Sequence, residues 1–155
     1  MFPSPTNVEG LQVGVIDIVA TNRTAGTLAV GDVCALDLTC AQESTNNDEG
    51  HALSGLANVF TAADNAVVGT TILCVALDTP VDNAKGRFRV QGRVKALADG
   101  SGLAIGDDCS VTNSKQLSAT VGAGHDIWAI ALAAIAAGKT GDVLFNGFGF
   151  ANPHA

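Results

Sequence analysis

The chain has 155 residues, of which 47% are hydrophobic and only 15% charged, with 18 glycines and 4 cysteines. That length suits one domain with a core large enough to need no disulfide framework, and the scarcity of charge implies a neutral surface of Ser, Thr, Asn, Ala and Gly suited to packing against other chains. A formal net charge of −7 opposes a general electrostatic hold on nucleic acid, and the longest apolar run, Ile127 to Ala137, is far short of the roughly 20 residues of a membrane-spanning helix.

Residues 1–10 (MFPSPTNVEG) contain neither the basic nor the apolar region of a secretory signal, so the chain is expected to be soluble and made in a cytoplasm. Pro3 and Pro5 are expected to hold this segment extended with Phe2 as an apolar anchor, an N-terminal arm ahead of a single β domain over 11–155; a disordered terminus is the alternative reading. Leu11 to Ala20 (LQVGVIDIVA) alternates strongly enough to predict a strand. The sequon at Asn22 to Thr24 means little without a secretory signal.

Leu28 to Cys34 reads LAVGDVC, and Leu103 to Cys109 reads LAIGDDC, 75 residues later. Read alone, Asp107 and Asp108 beside Cys109 look like a metal or nucleophile cluster. The twin replaces the second acid with Val, so what persists is a turn: Gly31 and Gly106 permit the bend, Asp32 and Asp107 bond the turn backbone, and Cys34 and Cys109 face a core. A second pair, Ile72 to Val94 and Ile127 to Gly149, aligns without a gap at an offset of 55 residues, sharing I-x-x-[VI]-A-L and then G-x-[apolar]-x-[apolar]-x-G. Pseudo-repeats of about 27–94 and 102–149 follow, and the unequal offsets leave an insertion of about 42–65 in the first copy. There Leu53, Leu56, Val59 and Phe60 recur at roughly helical spacing, predicting a surface loop with one short helix.

Arg87 to Lys95 (RFRVQGRVK) sets Phe88 and Val90 on one face and Arg87, Arg89 and Gln91 on the other, a half-buried strand. The Ala-rich run Ala129 to Ala137 fits strand and helix alike. Together these elements predict a mainly β fold, a small β-barrel or β-sandwich-like domain with internal pseudo-duplication.

The chemical motifs are poor. Ala133 to Thr140 (AAIAAGKT) matches a relaxed phosphate-binding loop, but a strand pattern follows it where a helix is needed. Asp48, Glu49 and His51, and His125 with Asp126, lack the spacing of a zinc or calcium site, and there is no GxSxG elbow. Cys34, Cys40, Cys74 and Cys109 show no CxxC pattern and are expected to be buried free thiols; Trp128 is expected in the core. No catalytic residue, cofactor or metal is expected.

The segments Leu28 to Cys34, Ile72 to Leu77, Gly86 to Gly92, Leu103 to Cys109 and Ile127 to Gly147 form a pattern that resembles the head decoration, or capsid cement, proteins of tailed bacteriophages. The resemblance implies a non-enzymatic homotrimer on the outer surface of the virion head, bound to the major capsid protein and stabilising its lattice, with no nucleic-acid or membrane partner. The arm residues Phe2, Pro3 and Pro5 are then the candidate capsid-binding residues, since an extended arm can add as a strand to an exposed sheet edge. Clustered Phe145, Phe148 and Phe150 serve the core or a neighbouring subunit. A tail or baseplate component is the alternative reading, followed by a small β-barrel enzyme or carbohydrate-binding module.

Overall fold

Period-two alternation of apolar residues, punctuated by Gly, Asn and Asp, produces strands and tight turns. A computed structural model describes residues 14–36, 57–62, 71–112, 114–121 and 125–150. Among these the regular elements are β1 (Ile16–Asn22), β2 (Val33–Leu36), β3 (Ala57–Thr61), β4 (Leu73–Ala76), β5 (Lys85–Leu97), β6 (Asp108–Val111), β7 (Leu117–Ser118), β8 (Ile127–Ala131) and β9 (Thr140–Phe150), with no helix. They form one nine-stranded mixed sheet in the order β1-β3-β2-β4-β5-β9-β8-β6-β7. The fold is mainly β, as expected.

The sheet bends back on itself. β1 pairs in parallel with β3 and antiparallel with β5, so β1, β3, β2, β4 and β5 close a five-stranded ring. The second half repeats the plan: β9 pairs with β5 and β8, β8 with β6, and β6 with β7, while a parallel bridge from Ala98 to Leu117 leads back to the end of β5. The long β5 thus serves twice, its first half closing the first unit and its second half opening the second. Register repeats as well, since Thr21 lies opposite Lys85 in one unit and Leu97 opposite Thr140 in the other.

The turns match in their hydrogen bonds. Asp32 accepts the Ala29 N–H at 3.0 Å, and Asp107 accepts the Ala104 N–H at 2.7 Å. Gly31 (φ 98°) and Gly106 (φ 86°) take the left-handed backbone that the bend requires, and donate N–H to the carbonyls of Ala76 and Ala131 respectively. The hairpins before β5 and β9 match too: Asn83 and Gly138 both have positive φ, and the N–H groups of Ala84 and Lys139 return to the carbonyls of Val81 and Ala136.

Two buried clusters hold the fold. Inside the first ring pack Ala20, Leu28, Cys34, Val59, Cys74 and Phe88. Their counterparts in the second unit, including Ala96, Leu103, Cys109, Ala129, Ala131 and Val143, belong to a larger cluster that also takes in Val33, Leu73 and Val75 from the opposite face of β2 and β4. All four residues of β4 are therefore buried, and its sequence LCVA shows no polar alternation. Trp128 is buried here as expected. β9 leaves β5 at Gly147, where backbone passes so close that a Cβ would overlap the carbonyl oxygens of Leu73 and Val90.

One expectation changes and one open choice closes. Within the insertion, residues 57–61 form β3 rather than a helix; Val59 enters the ring core while Asn58 pairs with β1 and Phe60 with β2, so the need to close the ring overrides a short helical coincidence. Leu53 and Leu56 lie outside the described residues. The Ala-rich run is strand through Ala131, and residues 132–138 are turns and a bridge without helix. Ile135 is bridged to Leu103, and the Leu132 N–H donates to the Asp142 carbonyl, so pairing with distant strands claims the backbone groups that a helix would have used.

Candidate partner-binding surface

The motifs that looked chemical in the sequence resolve into scaffold. Asp107 is committed to its turn, and Cys109 donates its thiol to the Asp107 carbonyl at 3.4 Å, as Cys34 does to Asp32 at 4.0 Å. Cys34, Cys74 and Cys109 are free and buried; burial pushes the Cys34 and Cys109 thiols up to about 12 and Cys74 well above its ordinary value. A buried thiol held in its protonated form is a poor nucleophile at neutral pH. Cys40 lies outside the described residues. At Ala133 to Thr140, Gly138 forms a hairpin turn and β9 follows, so no helix N-terminus faces a phosphate.

Among the described residues no group of three or more His, Cys, Asp and Glu is placed to hold a metal ion. Asn22 is fully buried, its amide nitrogen donating to Gly26 and Pro80 and its oxygen accepting from Thr24, so the sequon is structural. Phe145 is in the core, whereas Phe148 is 45% exposed. The arm residues Phe2, Pro3 and Pro5 lie outside the described residues.

What stands out is the outer face of β5. Its burial alternates along all 13 residues, and the outward positions carry Lys85, Arg87, Arg89, Arg93 and Lys95, five of the chain's eight cations. Neighbouring elements supply three carboxylates. Arg89 grips Asp17 through two nitrogens at 2.7 and 2.9 Å, Arg93 meets Asp142 at 2.8 Å, and Arg87 lies 3.8 Å from Asp78. The guanidinium hydrogen bonds hold the Asp17 and Asp142 carboxyls below their ordinary values. Lys85 and Lys95 form no ion pair among the described residues, so the face keeps an excess of positive charge.

Beside these cations runs an open groove of about 560 Å³. Val15, Val30, Leu77 and Val94 form its apolar lining, and Arg89, Arg93, Lys95 and Asp142 its charged rim, three cations against one carboxylate. Val15 is 58% exposed and Val30 46%, both large apolar groups left in water. Lining and rim come from five separate parts of the chain, which no local pattern could assemble. The cations alternate visibly in RFRVQGRVK, yet their significance depends on how few cations lie elsewhere: Arg23, Lys115 and Lys139 alone.

The second unit differs at the equivalent end. There Ile105, at the turn matching Val30, is 73% exposed, and Leu132 and Ala133 are exposed beside it. Equivalent positions therefore present cations beside an apolar groove in one unit and an apolar tip without cations in the other.

No protein-family description matches the sequence, and no curated protein matches it either. Among solved structures, the chain is similar to the head fiber gp8.5 N base of bacteriophage phi29, at a TM-score of 0.58 and 11% identity, over 89% of this chain and 99% of that one. At that identity the likeness is one of fold, and it extends through both units: this chain shares its β architecture with a protein of a phage head.

Proposed function

We propose that the chain is a non-enzymatic structural protein of a tailed-phage virion, carried on the outer surface of the head and bound to the major capsid protein. The observation that carries this reading is the fold shared with a phage head fiber base over nearly all of both chains. The low charge of the sequence and the engagement of Asp32, Asp107 and the described cysteines in scaffold agree with it.

In the finer reading the chain is a decoration or cement protein, made in the host cytoplasm and assembling as a homotrimer that clamps the expanded lattice. Many copies held at fixed spacing gain avidity that one copy lacks. The arm residues Phe2, Pro3 and Pro5 reach the capsid protein, adding an extended segment to an exposed strand edge.

The test mixes purified chain with expanded and unexpanded empty heads assembled from the major capsid protein encoded alongside it. Saturable binding, stronger on expanded heads, is expected; no saturable binding to either sinks the proposal. Deletion of Met1 to Asn7 is expected to weaken binding while leaving the circular dichroism spectrum unchanged, and full affinity in the deletion would remove the arm from the reading.

A second reading follows from the same neighbour's description as a fiber base: the chain anchors a further polypeptide to the head without clamping the lattice. Thermal rupture of heads with and without bound chain separates the two, since a cement raises the rupture temperature and a simple anchor leaves it unchanged.

A further inference from the structure

We propose that the outer face of β5 is the surface by which this chain docks on its partner, and that the partner presents an acidic protein surface with an apolar side chain that enters the groove. The proposal rests on the head-binding reading for the partner's identity, and on the structure for its chemistry. β5 alone carries five of the eight cations in a chain of net charge −7. A random surface would scatter them. Instead all five point outward from one strand, while Asp17 and Asp142 orient Arg89 and Arg93 through hydrogen bonds to their guanidinium groups.

Such pairs hold guanidinium groups in a defined direction, with N–H donors to spare for a partner's carboxylates. Lys85 and Lys95 stand towards opposite ends of β5 with no ion pair among the described residues, separated by ten residues of extended chain, or about 33 Å at a strand's rise. That span matches the width of a standard protein interface better than that of a small-molecule site. At the Lys95 end of this stripe, exposed Val15 and Val30 and the deeper Leu77 and Val94 offer a slot for an apolar anchor, bordered by Arg89, Arg93, Lys95 and Asp142. An apolar centre with a charged rim is the usual plan of a protein contact.

Nucleic acid is the other polyanion such a stripe could meet. The net charge of −7 opposes it, because the phosphates of a duplex continue past the stripe and come against the acidic remainder of the surface. A protein patch no larger than the stripe meets mainly its cations, since charges beyond a Debye length, about 8 Å at physiological salt, are screened.

The experiment measures binding of wild type, the double variant K85E/K95E and the single variant K139E to expanded empty heads at several salt concentrations. Neither Lys85 nor Lys95 makes an ion pair among the described residues, so the double variant is expected to fold, and its melting curve checks that. The expected result is wild-type affinity that falls with salt, a loss of tenfold or more in K85E/K95E, and less than twofold in K139E. Equal binding by all three overturns this proposal and leaves the head reading standing.

If wild type binds no heads, the head reading falls and immobilised poly-L-glutamate decides the face. Retention of wild type that K85E/K95E loses supports it, and no retention overturns it. Tighter binding to a 30-base-pair DNA duplex than to poly-L-glutamate overturns the acidic protein partner.

Discussion

Replacing Gly147 by Ala tests the point where the two units meet. A methyl group there would overlap the Leu73 carbonyl oxygen on β4 and lie 2.7 Å from the Val90 oxygen on β5. Both obstacles are backbone, so no side-chain rotation relieves the contact. Strands β4 and β9 would have to separate, opening the cluster that contains Leu73, Val75, Val143 and Phe145. Overpacking of cores costs about 1–3 kcal/mol, and a clash against two strand backbones belongs at the upper end, about 3 kcal/mol. For a domain of this size that corresponds to a fall in Tm of about 6–12 °C. Urea unfolding followed by circular dichroism, with calorimetry for Tm, reads both quantities. Gly100→Ala is the control, because a Cβ there meets nothing within 4 Å; it should change stability by less than about 0.5 kcal/mol. If Gly147→Ala is as mild as the control, β9 does not pass against β4 in this way, and the reasoning about how the units join is wrong.

Other consequences are open to direct measurement. Asp107→Ala removes the acceptor of the Ala104 N–H and should cost about 1–2 kcal/mol in urea unfolding, whereas Asp108→Asn should stay within about 0.5 kcal/mol; equal losses would refute the division of roles. Because Arg89 lowers the Asp17 carboxyl, that pair stabilises the fold above the unfolded carboxylate value of about 4, and its contribution disappears as pH falls through the lower folded value. Asp17 is exposed, so solvent screening keeps the effect under about 1 kcal/mol; Tm of wild type should fall slightly faster than that of Asp17→Asn as pH drops below about 4, and parallel curves would count against it. Cys34, Cys74 and Cys109 should resist iodoacetamide at pH 8 in the folded chain and react once it is unfolded in urea, read by peptide mass mapping. Rapid labelling of folded Cys109 would contradict its burial.

Much of the framework was legible in the residue order. LAVGDVC and LAIGDDC each need a left-handed glycine and an acid three residues after the N–H it caps, and both turns adopt that form. The offset of 55 residues carries Asn83 to Gly138 and Gly92 to Gly147, and the structure places matching turns at the first pair. The helical spacing around Val59 misled, because four apolar residues over two turns cannot tell a helix from a strand whose partners lie elsewhere in the chain. β4 shows the same limit from the other side: LCVA has no polar alternation because both of its faces are covered, and the second cover comes from the other unit.

The sequence by itself determined that the chain is β, duplicated and stitched by repeated turns, since strand period and turn chemistry are local properties of neighbouring residues. Only the tertiary structure decided that one strand serves both units, that residues 57–61 close the first ring, and that Arg89, Arg93 and Lys95 come to border a groove lined by Val15, Val30, Leu77 and Val94. Those outcomes depend on pairings between residues far apart in the chain. Period-two alternation specifies which residues share a face, but it carries no information about what that face will meet.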